Sequence, residues 1–61
     1  MSVPLDLQIA SVRREIGMRE RVYPRQVAAK KMKQDTADYE LRTMKAVLET
    51  LLKLRGEDLP V

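Results

Sequence analysis

The sequence predicts an all-α fold, a helical hairpin that dimerises into a four-helix bundle, and three observations lead there. Glycine is confined to Gly17 and Gly56, no alternating β-branched run occurs, and Ala, Leu, Met, Glu, Gln, Lys and Arg dominate the 61 residues. That composition favours helix over strand. Two apolar stripes recur at helical spacing, one up to Tyr23 and one from Ala37 onward, and each is wider than a single partner helix can cover. A chain of this size buries only ~60% of its unfolded surface when it folds alone. Cysteine and histidine are absent, so neither a disulfide nor a Cys/His zinc site makes up the difference.

The first helix is predicted over about residues 5–22. Leu5, Ile9, Val12 and Ile16 fall at steps of 4, 3 and 4, and the register continues through Arg19 to Tyr23, which puts the tyrosine on the core stripe. Pro24 lacks an N–H, its ring meets the carbonyl of Glu20, and it biases Tyr23 towards extended backbone. A corner is therefore predicted at Tyr23-Pro24, followed by a short helix within 23–32 that has proline at its favoured first position. Gly17 lies on the flank of the stripe and is read as a point of close approach between helices.

The second helix is predicted over about residues 34–55. Ala37, Leu41, Met44, Leu48 and Leu51 follow at steps of 4, 3, 4 and 3, a heptad-like seam. Asp35, Asp38 and Glu40 near its start and Lys53 and Arg55 near its end suit the helix dipole, and Gly56 offers the left-handed conformation that stops a helix. Residues 56–61 read as a tail, and the whole of 1–61 reads as a single helical domain.

Leu7, Met18 and Val22 lie off the stripe of the first helix, and Val47, Leu52 and Leu54 lie off the seam of the second. Burying one such side chain contributes ~1.5–3 kcal/mol, against a net stability of only ~5–15 kcal/mol for a whole domain. A homodimer is expected to cover them, with Leu7, Met18, Val22, Val47, Leu51 and Leu54 at its interface.

Charge is uneven. Residues 13–33 carry eight cations against Glu15 and Glu20, yet their wheel positions go round the helix, no third helix completes a helix-turn-helix, and no aromatics interleave. A solvated basic surface is the reading, and nucleic acid is not an expected partner. Catalysis is not expected either: there is no His or Cys, and Ser2 and Ser11 have no activating base near them in sequence. No cofactor or metal is anticipated, because Asp35 and Asp38 suit a helix start better than a cation site. No apolar run reaches the ~20 residues of a membrane span, and "MSVPLDLQIA" has neither the basic nor the apolar segment of a secretory signal. A cytoplasmic protein is expected.

A second face remains. Tyr39, Thr43, Ala46 and Thr50 line up at steps of 4, 3 and 4 opposite the seam of the second helix, with Glu40 and Arg42 nearby. A rigid amphipathic ring among small side chains is the makeup of a protein-binding anchor.

Two blocks in this chain carry a resemblance. Met18, Arg19, Val22, Tyr23 and Pro24 form a Met-Arg-x-x-Val-Tyr-Pro block, and Ala37, Glu40, Met44 and Ala46 form an Ala-x-x-Glu-x-x-x-Met-x-Ala block. Across residues 14–52 the chain resembles short phage and prophage helical proteins that include the quorum-sensing anti-activators of Pseudomonas phages. Lys30-Lys31 departs from the small, glycine-containing turn of that group. The resemblance implies a helical dimer in the cytoplasm of a host bacterium that inhibits a host protein by occlusion. The implied targets are a LuxR-type transcriptional activator and the type IV pilus assembly ATPase. A phage nucleic-acid-associated or assembly helper protein is the alternative.

Overall fold

A computed structural model describes residues 3–56, which form two α-helices: α1 (Leu5–Ala28) and α2 (Gln34–Leu54). Three ion pairs join them, Asp6 to Arg55, Arg19 to Glu40 and Glu20 to Lys45. Positions that ascend in α1 meet, on the whole, positions that descend in α2. The pair is thus an antiparallel hairpin, as predicted, and no strand occurs among the described residues.

α1 starts at Pro4, whose carbonyl accepts the N–H groups of Leu7 and Gln8 at 3.0 and 3.1 Å. The Gln8 side chain turns back and donates to the Val3 carbonyl at 2.7 Å. Asp6 in the first turn adds negative charge where the helix dipole is positive. α2 follows Lys33, which is extended at φ −79° and ψ 148°. In its first turn the Asp35 carboxylate accepts the Thr36 N–H, and Gln34 donates to Asp38 one turn on.

The corner predicted at Tyr23-Pro24 is not there. α1 passes through Pro24 without interruption and takes in residues as far as Ala28, so 23–32 is not a separate short helix and the first helix does not end near residue 22. Packing explains the outcome. Pro24 is on the exposed side of α1, while Tyr23, Gln26 and Val27 are half-buried on the other. Proline inside a helix costs ~3 kcal/mol, mainly through one lost hydrogen bond and a ring clash. Breaking the helix at residue 23 would instead remove Tyr23 and Val27 from the contact, at ~1.5–3 kcal/mol for each apolar side chain when fully buried.

The stop comes six residues later. Lys30 has φ +61°, the Lys31 N–H donates to the Gln26 carbonyl at 2.8 Å, and the Lys30 N–H donates to Val27 at 3.0 Å. These paired bonds close a helix through one left-handed residue. The position normally suits glycine, since a side chain there costs roughly 1–2 kcal/mol, and lysine occupies it here. At the end of α2 the residue is glycine: Gly56 has φ +86° and donates to Lys53 at 3.0 Å.

Little of the hairpin is fully enclosed. Ile9, Ile16 and Ala37 are buried, with Ile9 only 1% exposed, and the other stripe and seam residues (Leu5, Val12, Tyr23, Leu41, Met44, Leu48 and Leu51) are half-buried. Leu52 joins them on the contact side. The molecule measures 40 × 32 × 16 Å, so its thin dimension is little more than one helix diameter with side chains, ≈ 10–12 Å. Its accessible surface of 5057 Å² is about a quarter above the ~4,100 Å² that size scaling gives for a compact monomer of its mass.

Within the hairpin Gly17 is not a close-approach point between α1 and α2. A Cβ placed on it would meet nothing within 4 Å, because it sits on the flank of α1 turned away from α2. Gly17→Ala is therefore expected to raise stability by about 1 kcal/mol, whereas Gly56→Ala, forced into a positive φ, is expected to lower it. Melts followed by helical circular dichroism at one protein concentration check both. A lower Tm for Gly17→Ala would mean that something other than water occupies the space beside it.

Candidate protein-binding surface

Arg19 organises the helix contact from which the outer surfaces follow. It donates to Glu15 at 2.7 Å, reaches Glu40 of α2 at 3.6 Å, and stands 5.9 Å from the centre of the Tyr23 ring. The hydrogen bond that Arg19 donates to the Glu15 carboxylate raises the affinity of the guanidinium for its proton above the ordinary arginine value, so this cation keeps its charge across the working pH range. Glu40, nominated for partner binding, is half-buried and ion-paired with Arg19. It belongs to the hairpin contact.

The rest of the nominated stripe is outside. Tyr39 is 57% exposed, and Arg42, Thr43, Ala46 and Thr50 are all exposed. Arg42 lies 6.0 Å from the centre of the Tyr39 ring, which restrains the ring and leaves a cation beside it. The Thr50 hydroxyl donates to the Ala46 carbonyl at 3.1 Å, so the far end of the stripe presents a methyl group. One face of α2 thus carries a braced ring, an arginine and a smooth run of small side chains. It has no direct bond to α1.

Of the six residues nominated for the dimer interface, Val22, Val47, Leu51 and Leu54 lie towards the side of the hairpin marked by Glu15 and Glu40, while Leu7 and Met18 lie further round, in register with Arg14 and Arg25 on the back of α1. Leu7, Ser11, Glu15, Met18 and Val22 follow at steps of 4, 4, 3 and 4 along α1, and Glu40, Val47, Leu51 and Leu54 follow at 7, 4 and 3 along α2. Side chains at such spacings share a face. Arg19 bonds both Glu15 and Glu40, so the two rows border the same side, with Glu20 and Lys45 bridging elsewhere. Leu54 is 71% exposed and Leu7 57%, Met18 and Val47 are also exposed, and Val22 and Leu51 are half-buried. Sequence reasoning did not nominate Val3, which is exposed beside the N-terminal end of this row. Its step of 4 to Leu7 continues the row, but Pro4 follows it and α1 begins only at Leu5, so it precedes the predicted helix.

Among the described residues no group of three or more His, Cys, Asp or Glu side chains could hold a metal, and no helix is long and apolar enough to cross a membrane. Asp35 and Asp38 hydrogen-bond within the first turn of α2. Neither a protein-family model, nor a curated protein, nor a solved structure matches the chain.

The two tyrosines should behave differently. Tyr23 is half-buried next to Arg19, so Tyr23→Ala is expected to cost about 2 kcal/mol, less than the ~3–5 kcal/mol of a fully buried aromatic. Tyr39→Ala should stay within about 0.5 kcal/mol of wild type. Parallel denaturant titrations measure both. An early-unfolding Tyr39→Ala would make Tyr39 a residue of the fold or of the self-associated state and remove it from the binding surface.

Proposed function

We propose that this chain is a phage-encoded, non-catalytic protein that works as a homodimeric four-helix bundle in the cytoplasm of a host bacterium, and that it inhibits a host protein by covering that protein's working surface. The observation that carries the reading is the outer stripe of α2. Its most exposed large side chain is an aromatic ring flanked by a cation and small residues, and rings of that kind are enriched where binding energy concentrates. The apolar row on one side of the hairpin supports self-association, because wet leucine, methionine and valine side chains in a chain this small are a large loss.

The resemblance carried by the two sequence blocks favours a LuxR-type quorum-sensing transcriptional activator as the target, with the type IV pilus assembly ATPase second. Most residues in those blocks meet at the helix contact: Arg19, Tyr23, Ala37, Glu40 and Met44 are buried or half-buried there. The blocks therefore support a shared hairpin more directly than a shared target. Target choice lies with exposed residues outside them, above all Tyr39, Arg42, Thr43 and Thr50.

Purified wild-type protein is expected to release a LuxR-type activator from its promoter DNA in a gel-shift titration. Tyr39→Ala should weaken that inhibition at least tenfold, since losing an anchor costs ~2 kcal/mol or more of binding. Inhibition unchanged by Tyr39→Ala would move the contact to another face. No inhibition and no binding in solution would remove the activator as target.

A further inference from the structure

The cations divide into two groups in a way that their order along the chain does not reveal. Arg19, Lys45, Lys53 and Arg55 each bond a carboxylate. Arg13, Arg14, Arg21, Arg25, Lys30, Lys31 and Lys33 have no carboxylate partner among the described residues, and all seven are exposed; the twelfth cation, Arg42, is likewise without one but stands over the Tyr39 ring on α2. The acids of α1 do not balance them, because Asp6, Glu15 and Glu20 are paired with Arg55, Arg19 and Lys45.

Position sharpens the division. Arg14, Arg21 and Arg25 follow at steps of 7 and 4, which places them on one line along α1, on the side opposite the buried Ile9 and Ile16. At ~1.5 Å of rise per residue they span about 16 Å. Beyond them Lys30, Lys31 and Lys33 line an open concavity at the turn, together with Val27 and Met32. Arg21 and Arg25, one turn apart, repel each other. A bound polyanion relieves that repulsion.

We propose that the outer face of α1 and the α1–α2 turn form a surface for the phosphate backbone of nucleic acid, bound without reading the bases. The chemistry favours phosphate over an acidic protein. Protein interfaces have an apolar or aromatic centre inside a polar rim, whereas here the exposed Leu7 and Met18 stand singly between arginines, at steps of 7, 4, 3 and 4 through Leu7, Arg14, Met18, Arg21 and Arg25, and no aromatic is on the line. Interfaces with nucleic acid are far more positively charged, and planar guanidinium groups suit phosphate oxygens. Nothing on this face reads a base edge, in keeping with the absence of a recognition helix, so only the non-specific contribution is assigned. The surface is separate from the Tyr39 stripe on α2 and does not depend on the identity of any protein target.

Fluorescence anisotropy tests this with the full chain and two labelled 20-base-pair DNA duplexes of unrelated sequence. Both should bind at ~50 mM salt with affinities within about threefold of each other, and log K should fall against log salt with a slope of about −4 to −6, as expected for roughly five to seven neutralised phosphates. Arg21→Gln/Arg25→Gln should bind at least tenfold more weakly and flatten the slope by about 2. Lys45→Gln/Lys53→Gln, with the same net charge but changes away from the face, should stay within about threefold of wild type. Circular dichroism melts of both variants establish that the fold is retained.

Four outcomes would overturn the proposal: no binding at ~50 mM salt, equal loss in the two variants, a tenfold preference between the duplexes, or tighter binding of a labelled poly-glutamate peptide than of DNA. The last would assign the face to an acidic protein.

Discussion

Two helices, each carrying an apolar arc broader than the other can cover, set the terms for the rest of this molecule. A hairpin of this kind has one contact line. Along it Ile9, Ile16 and Ala37 are enclosed, and the leucines, valine and methionine that flank them are only half-covered. With three buried residues among those described, the core is small beside the conformational entropy of about fifty ordered residues, at ~1–2 kcal/mol each for the backbone alone. The ion pairs across the contact add little, since exposed pairs are worth ~0–1 kcal/mol each. Their main effect is on register: Asp6 with Arg55 fixes the open end of the hairpin, Arg19 with Glu40 fixes its middle, and Arg19 is braced by Glu15.

That register decides which surfaces the molecule offers. With Arg19 turned towards Glu40, Val22, Val47, Leu51 and Leu54 border one side of the hairpin, and the exposed Leu7 and Met18 lie between that side and the back of α1. The outer face of α2 carries Tyr39 with Arg42 beside it, and the outer face of α1 carries arginines without carboxylate partners. The three surfaces differ in chemistry because the acids are unevenly used. Glutamates at positions 15, 20 and 40 go into the helix contact, so α1 is left with uncompensated positive charge along its back.

The sequence made the helices legible and one boundary misleading. Apolar steps of 3 and 4 located both stripes, and α2 runs within one residue of its expected ends because a glycine stops it where one was anticipated. Pro24 misled because local propensity ranks it a breaker, while tertiary contact through Tyr23 and Val27 keeps the helix intact beyond it. Lys30 gave no sign of being the stop, since a lysine does not announce a left-handed conformation. The wheel also separated Tyr23 from Tyr39 correctly, one half-buried and one exposed. It could not show that Glu40 is ion-paired, because its partner Arg19 lies 21 positions away and their meeting depends on the turn. Gly17 makes no close approach to α2 for a related reason: within the hairpin the flank it occupies faces open space.

The claim on which the rest turns is that a single hairpin is too thin to be the working form. Thermal unfolding over a hundredfold range of protein concentration tests it directly, with sedimentation equilibrium at the same concentrations. A dimer linked to folding must melt at higher temperature as concentration rises, by mass action, and the mass should be twice the 7.1 kDa of the chain. A Tm that does not move, together with a mass of 7.1 kDa at every concentration, would contradict the account and leave the row from Leu7 to Leu54 as an exposed face of a monomer.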